Sequence, residues 1–245
     1  MIASLPMYDR PETFAANDAL WTLIRDAFRS AGADAPDGLT REGDIWAQWT
    51  APDLVLSQTC GLPLATRLWD DVTYIGAPVF DIECAPGHYF SRVVMRKDDL
   101  RDDLSGTRLA FNDTMSQSGW AAANAYASAN GFAFRSKTET GAHRVSAQAV
   151  AEGRADIAFI DAVTWEMIRR WDDCAQTLRM VDATPPTPAL PYIAALGADA
   201  DVIFQLMLNA FAQLSGSDRQ VLCLKGITRL PRNAYLRQKP PDRPH

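Results

Sequence analysis

The sequence predicts an α/β protein whose sheets, parallel or mixed, are covered by helices. Two observations carry that expectation. Short runs rich in β-branched and aromatic residues alternate with amphipathic stretches along most of the chain. Two breaks interrupt the rhythm, the loop "ECAPGH" and the proline-rich "TPPTPALP", and they divide it into two lobes.

The elements follow in order. Residues 2–7 read as a short buried strand ending in a turn, and residues 13–30 as a helix with Phe14, Leu20, Trp21, Ile24, Ala27 and Phe28 on one face. "PDLVLSQ" is a buried strand that runs into the loop "TCGLP", and residues 62–68 a short helix. "VTYIGAPVF", "HYFSRVVMRKDD" and "GTRLAFN" have strand composition. Residues 118–130 and 145–152 are helical and are stopped by Gly131 and Gly153. "ADIAFID" is a strand, residues 162–171 a helix, "LRMVDA" and "YIAAL" strands, and residues 201–214 a helix. Lobe one is expected at residues 1–85 and again at 185–245, with lobe two, residues 86–184, inserted between them. The closing "RQKPPDRPH" has the composition of a flexible tail. No internal repeat is present.

Bulk properties bound the function. The chain has 245 residues, 47% of them hydrophobic and 22% charged, with 24 Lys and Arg against 30 Asp and Glu, a net charge of −6. That length buries a full core. The acidic balance excludes binding driven by phosphate neutralisation, so nucleic acid is not the expected partner. Cys60, Cys84, Cys174 and Cys223 lie far apart without a CxxC pair or a histidine at ligand spacing. The expectation is therefore four thiols, no metal site and no cofactor. No apolar run is long enough for membrane insertion. "MIASLPMYDRPETF" lacks a basic region followed by an apolar one and a cleavage site. The chain as written is therefore expected in the cytoplasm, or in the periplasm if the sequence is a mature form.

Two segments can carry chemistry. In "AFNDTMSQSGW" a strand-like run ends in polar residues just before a helix. A helix N-terminus presents unpaired N–H groups and a partial positive charge. Ser116 and Ser118 add hydroxyl donors, and Gly119 lets a ligand approach the backbone. The plainer alternative is that Ser118 simply caps the helix. In "GAHRVSAQAVAEGRADIAFID", His143 opens a helix and can donate or accept a hydrogen bond. Asp161 ends a buried strand, where α/β sheets face their ligands, although it is equally a good N-cap. Tyr8 and the loop residues Gln58, Thr59 and Gly61 also follow strands, and Tyr89 stands near the first lobe crossing.

In order and spacing, "DLVLSQTCGLPL", "YFSRVVMRKDDLRDDLSGTRLAFNDTMSQSGW", "GAHRVSAQAVAEGRADIAFIDAVTW" and "ATPPTPALPYI" resemble the phosphate, phosphite and phosphonate substrate-binding proteins of ABC transporters. That family is a branch of the type 2 periplasmic binding proteins. The resemblance implies two α/β lobes joined by two crossing strands, with the ligand in a cleft between them. It implies that Ser116, Gln117, Ser118 and Gly119 present the phosphorus-bearing head group to a helix N-terminus, with His143 reaching it from the same lobe and Asp161 lining the cleft. Tyr8, Gln58 and Thr59 would close it from the other lobe, with Tyr89 near the hinge. The implied function is a solute-binding protein for a small oxyanion, read by an ABC permease or a regulatory protein. Two other functions suit the same fold: a cytoplasmic enzyme resembling chorismate dehydratases or thiamin-pyrimidine synthases, in which His143, Asp161 or Cys60 serves as acid, base or nucleophile, and a ligand-sensing module.

Overall fold

The computed structural model describes residues 1–238 and 241. The expected tail, residues 237–245, falls mostly outside them. The chain divides into two compact units, one formed by Met1–His88 with Pro188–Arg237, the other by Tyr89–Thr187. Each has its own five-stranded mixed sheet with helices packed on it.

In the first unit the strand order is Ile2–Ser4, Leu54–Gln58, Tyr192–Ala195, Val72–Phe80, Leu224–Thr228. The first two strands are parallel, and Tyr192–Ala195 runs antiparallel to both of its neighbours. The opening strand is shorter than the sequence suggests. It stops at Ser4, and Pro6–Tyr8 forms a 3₁₀ turn, because a proline has no N–H for a ladder. The Phe14–Ser30 helix buries Leu20, Trp21, Ile24 and Phe28, the face its periodicity indicates. On another side of the sheet, Trp49, Leu64, Leu68, Ile193 and Tyr235 form a cluster.

The second unit orders its strands Ser136–Glu139, Arg108–Phe111, Ile157–Asp161, Ser91–Arg96, Leu178–Ala183. The first three are parallel, and Ser91–Arg96 is antiparallel to both of its neighbours. Alternate residues serve opposite faces. Val94, Ala110, Ala158 and Ile160 pack with Ala147, Val150, Trp165 and Ile168 from the His143–Ala151 and Ala162–Trp171 helices. Val93, Met95, Leu109, Phe111, Ile157 and Phe159 pack with Trp120 and Ala123 on the other side. A period of two with both faces covered explains why "IAFI" is apolar throughout.

Among the described residues, the short elements that escape the sequence pattern include the strands Ser136–Glu139 and Leu224–Thr228 and the helices Ile45–Trp49, Gly216–Leu222 and Arg232–Leu236. Conversely, Val72–Phe80, Ala162–Trp171 and Leu178–Ala183 have the limits expected for them.

One ion pair fixes the start of the central parallel pair. Arg108 donates from Nε and Nη2 to the two carboxylate oxygens of Asp156, at 3.0 and 2.7 Å, and its backbone N–H also donates to that carboxylate. These bonds hold Asp156 down from 3.8 to about 2, the Arg108 side chain being the larger influence. A carboxyl lowered on folding stabilises the native state above its unfolded value, and that contribution is lost as pH falls through the native one. Stability of the wild type is therefore expected to drop between pH 4 and pH 2. Asp156→Asn should cost roughly 1–3 kcal/mol at neutral pH and flatten that acid limb, as measured by urea unfolding across the range.

Candidate functional site

The two chemistry-bearing segments meet because of strand register. Arg108–Phe111 pairs in parallel with Ser136–Glu139, so that Phe111 stands opposite Glu139. The two chains therefore leave the sheet side by side. Their loops are then tied together: Thr140 N–H donates to the Phe111 carbonyl at 2.8 Å and Gly141 N–H to the Asn112 carbonyl at 2.9 Å. "SQSG" and His143 begin their helices from these tied loops.

The cap is Ser116, not Ser118. Ser116 has extended backbone, and its Oγ accepts from Gly119 N–H at 3.0 Å. Gln117–Ala121 then forms a π-helical turn that continues into the Ala122–Ala129 helix. Ser118, two residues past the cap, turns its hydroxyl to His143, with Oγ 2.8 Å from Nε2. Ser116 Oγ lies 3.4 Å from Ser118 Oγ, so two hydroxyls and an imidazole form one connected row. Ser91, from the adjacent strand, donates its hydroxyl to the Ser118 carbonyl at 2.9 Å. Ser116, Gln117 and Ser118 are all buried.

Gly119 has a sharper role than backbone access. A Cβ there would overlap Asn112 Oδ1 and stand 3.1 Å from His143 Cε1. Asn112 and His143 thus close over the same face of Gly119, and only a glycine leaves them room. Asn112 Oδ1 is buried without a hydrogen-bond partner and lies over Gly119. Asn112 and Ser91 are the site residues that the sequence pattern does not reveal. Asn112 is visible only as a polar residue after a strand, and Ser91 depends on a neighbour in the sheet.

His143 is partly exposed as a residue, yet its Nδ1 is inaccessible and makes no hydrogen bond of ordinary geometry. Burial lowers it from 6.5 to about 4, while the Phe159 backbone acts in the opposite sense. The ring is neutral at pH 7. The seat therefore consists of neutral donors and acceptors. Lys137 is held elsewhere, by Asn124 Oδ1 at 2.7 Å.

The other expected residues are placed as follows. Asp161 is buried, and its carboxylate accepts from Val163 and Thr164 N–H at 2.7 and 3.0 Å, which is the capping role. Tyr89 is 1% exposed. In the first unit, Gln58 donates to the Leu190 carbonyl at 3.1 Å, and Thr59 N–H to the Pro191 carbonyl at 3.0 Å. Tyr8 packs edge-on to Phe80, and Tyr8 and Gln58 line one small pocket with Asn17 and Tyr192. None of the four cysteines forms a disulfide. Among the described residues, no group of three potential ligands is placed to hold a metal ion, and no helix is long and apolar enough to cross a membrane.

Three outcomes test this geometry. Gly119→Ala should destabilise the protein by roughly 1–3 kcal/mol through overpacking, and Ser116→Ala by about 1 kcal/mol through loss of the cap. A histidine lowered on folding stabilises the native state above its unfolded value, and the contribution fades as pH falls toward the native one. Urea midpoints should accordingly decline between pH 6.5 and pH 4, and His143→Gln should remove part of that decline.

Comparison with known proteins bears on what such a seat serves. No curated protein matches this chain by sequence. Among solved structures, PhnD1 from Prochlorococcus marinus in complex with methylphosphonate superposes with a TM-score of 0.75 at 15% identity, over 96% of this chain and 94% of that one. A binding protein component of an ABC phosphonate transporter from Pseudomonas aeruginosa gives 0.67 at 17% identity, over 91% and 79%. XAC2383 from Xanthomonas citri bound to ATP gives 0.69 at 15%, over 97% and 94%. These likenesses establish the fold, that of periplasmic binding proteins. A family model described as the periplasmic substrate-binding protein of phosphonate ABC transporters matches residues 64–231, which include the whole seat. The chain belongs to that phosphonate-binding family, whose members bind solutes and are not enzymes.

Proposed function

We propose that this protein holds a small tetrahedral oxyanion, a phosphonate or phosphate-like head group, on the row formed by Ser116, Ser118 and His143, and presents it to an ABC permease in the periplasm. The observation that carries the reading is the 2.8 Å contact between Ser118 Oγ and His143 Nε2. It joins two motif segments 25 residues apart at the start of a helix.

The chemistry suits such a ligand. Hydroxyl hydrogens and first-turn N–H groups supply donors converging on one point, and the helix dipole favours negative charge there. Hydrogen bonds to an ionised oxygen are shorter and stronger than neutral ones. A buried seat of neutral groups can therefore hold an anion without a lysine or arginine, and the net charge of −6 is no obstacle to it. Gln117 enters through its backbone N–H, Gly119 by fixing the Ser116 hydroxyl through the bond from its own N–H, and Asp161 by fixing the end of its strand. Tyr8, Gln58, Thr59 and Tyr89 enter as secondary contacts, each open to substitution.

Binding to the native state must stabilise it, by about 2.7 kcal/mol at a hundredfold excess over Kd. Thermal unfolding with millimolar methylphosphonate or phosphate should therefore shift upward by several degrees. Ser118→Ala and His143→Ala should each abolish the shift while leaving a cooperative transition. No shift with any phosphonate, phosphite, phosphate or sulfate would defeat the reading.

A further inference from the structure

We propose that the first unit carries a site of its own, a pocket that takes the ammonium group of a small primary amine. It belongs to the unit that does not hold the serine row, and it stands or falls independently of the oxyanion reading.

The strand ends build the pocket. Tyr192–Ala195 runs antiparallel to both Leu54–Gln58 and Val72–Phe80, so Gln58, Phe80 and Tyr192 come to one edge of the sheet. It is the edge at the carboxyl ends of the parallel strands, where α/β folds take their ligands. Tyr192 stands directly opposite Gln58 in the ladder, which puts their side chains on the same face. Tyr8, with Asn17 and Leu20 from the opening turns of the Phe14–Ser30 helix, completes the lining.

The polar atoms brought to this pocket are acceptors. Asn17, Gln58 and Tyr192 are only 5%, 4% and 3% exposed. Asn17 donates from Nδ2 to Asp9 Oδ1 at 2.9 Å, and Gln58 from Nε2 to the Leu190 carbonyl at 3.1 Å. Those two bonds fix which end of each amide is nitrogen. They leave Asn17 Oδ1 and Gln58 Oε1 without a partner among the described residues. The Tyr192 hydroxyl also has none there, and its ring packs edge-on to Phe211. Buried acceptors left unpaired are costly, and a donor carried in by a ligand removes that cost.

An ammonium group offers three donors and no acceptor, which matches two carbonyl oxygens and a phenol. The cavity measures about 20 Å³, room for one water-sized group. The charged head therefore fits, and its alkyl stem stays toward the opening. Tyr8 and Phe80, edge-on to each other, add aromatic walls, and aromatic rings attract ammonium groups. No lysine or arginine lines the pocket. An anion is poorly served here, because the Thr13, Phe14 and Asn17 N–H groups are spent on the Arg10 and Thr13 carbonyls.

The test is calorimetric titration with ethylammonium chloride at constant ionic strength, with ethanol and tetramethylammonium as controls. Ethylammonium should bind saturably. Ethanol, with a single donor, and tetramethylammonium, with none and too large for the cavity, should not. In protein isotope-labelled at tyrosine Cζ, the one of six signals that is missing from Tyr192→Phe should move as ethylammonium saturates. Tyr192→Phe should keep its unfolding midpoint without amine, since the hydroxyl it loses has no partner, and bind ethylammonium about tenfold more weakly. No saturable binding of ethylammonium, an equal response to ethanol, or a Tyr192 signal that stays in place at saturation would each overturn the proposal. None of these outcomes touches the oxyanion reading, which the methylphosphonate shift decides.

Discussion

The site depends on the parallel alignment of Ser136–Glu139, Arg108–Phe111 and Ile157–Asp161. Parallel strands in register end together, so the loops that follow them open on the same edge of the sheet. Here that edge receives the "SQSG" turn, His143 and Asp161 from three places in the sequence. The alignment is held at the far end by Arg108 and Asp156 and at the near end by the Thr140 and Gly141 N–H bonds. Slipping one strand by a single residue would exchange its two faces. In Arg108–Phe111, Phe111 would leave one core layer while Ala110 left the other, which makes the register, and hence the site, costly to alter.

Much of this was legible because both faces of the central strands are covered. "IAFI" and "RLAF" announce buried strands by composition alone, and Asp161 before "AVTW" marks where one ends and a helix begins. What failed to show follows the same physics. "SKTE" is an edge strand with mostly exposed residues, so its conformation is imposed by pairing with Arg108–Phe111 and not by its own preference. The cap falls on Ser116 and not on the expected Ser118, because Ser-x-Ser offers two hydroxyls two residues apart and the choice depends on which of them has another partner. His143 takes Ser118, and Ser116 is left to cap. Asn112 could not be read at all, since its importance lies in its close approach to Gly119, seven residues on, over the face that His143 also covers.

The absence of fixed charge from the seat follows from its burial. A lysine or arginine enclosed there would need a permanent partner, because an unpaired buried charge costs far more than a buried dipole. A permanent acidic partner would in turn repel an anion. Hydroxyls, backbone N–H groups and a neutral imidazole avoid the conflict: each is stable without a charged partner and can still turn a donor toward negative charge. Asn112 belongs to the same logic. Its amide has the shape of a carboxylate and fills the space over Gly119, yet it brings no negative charge beside His143. An aspartate in its place would set a fixed negative charge over Gly119, against any anion on the serine row.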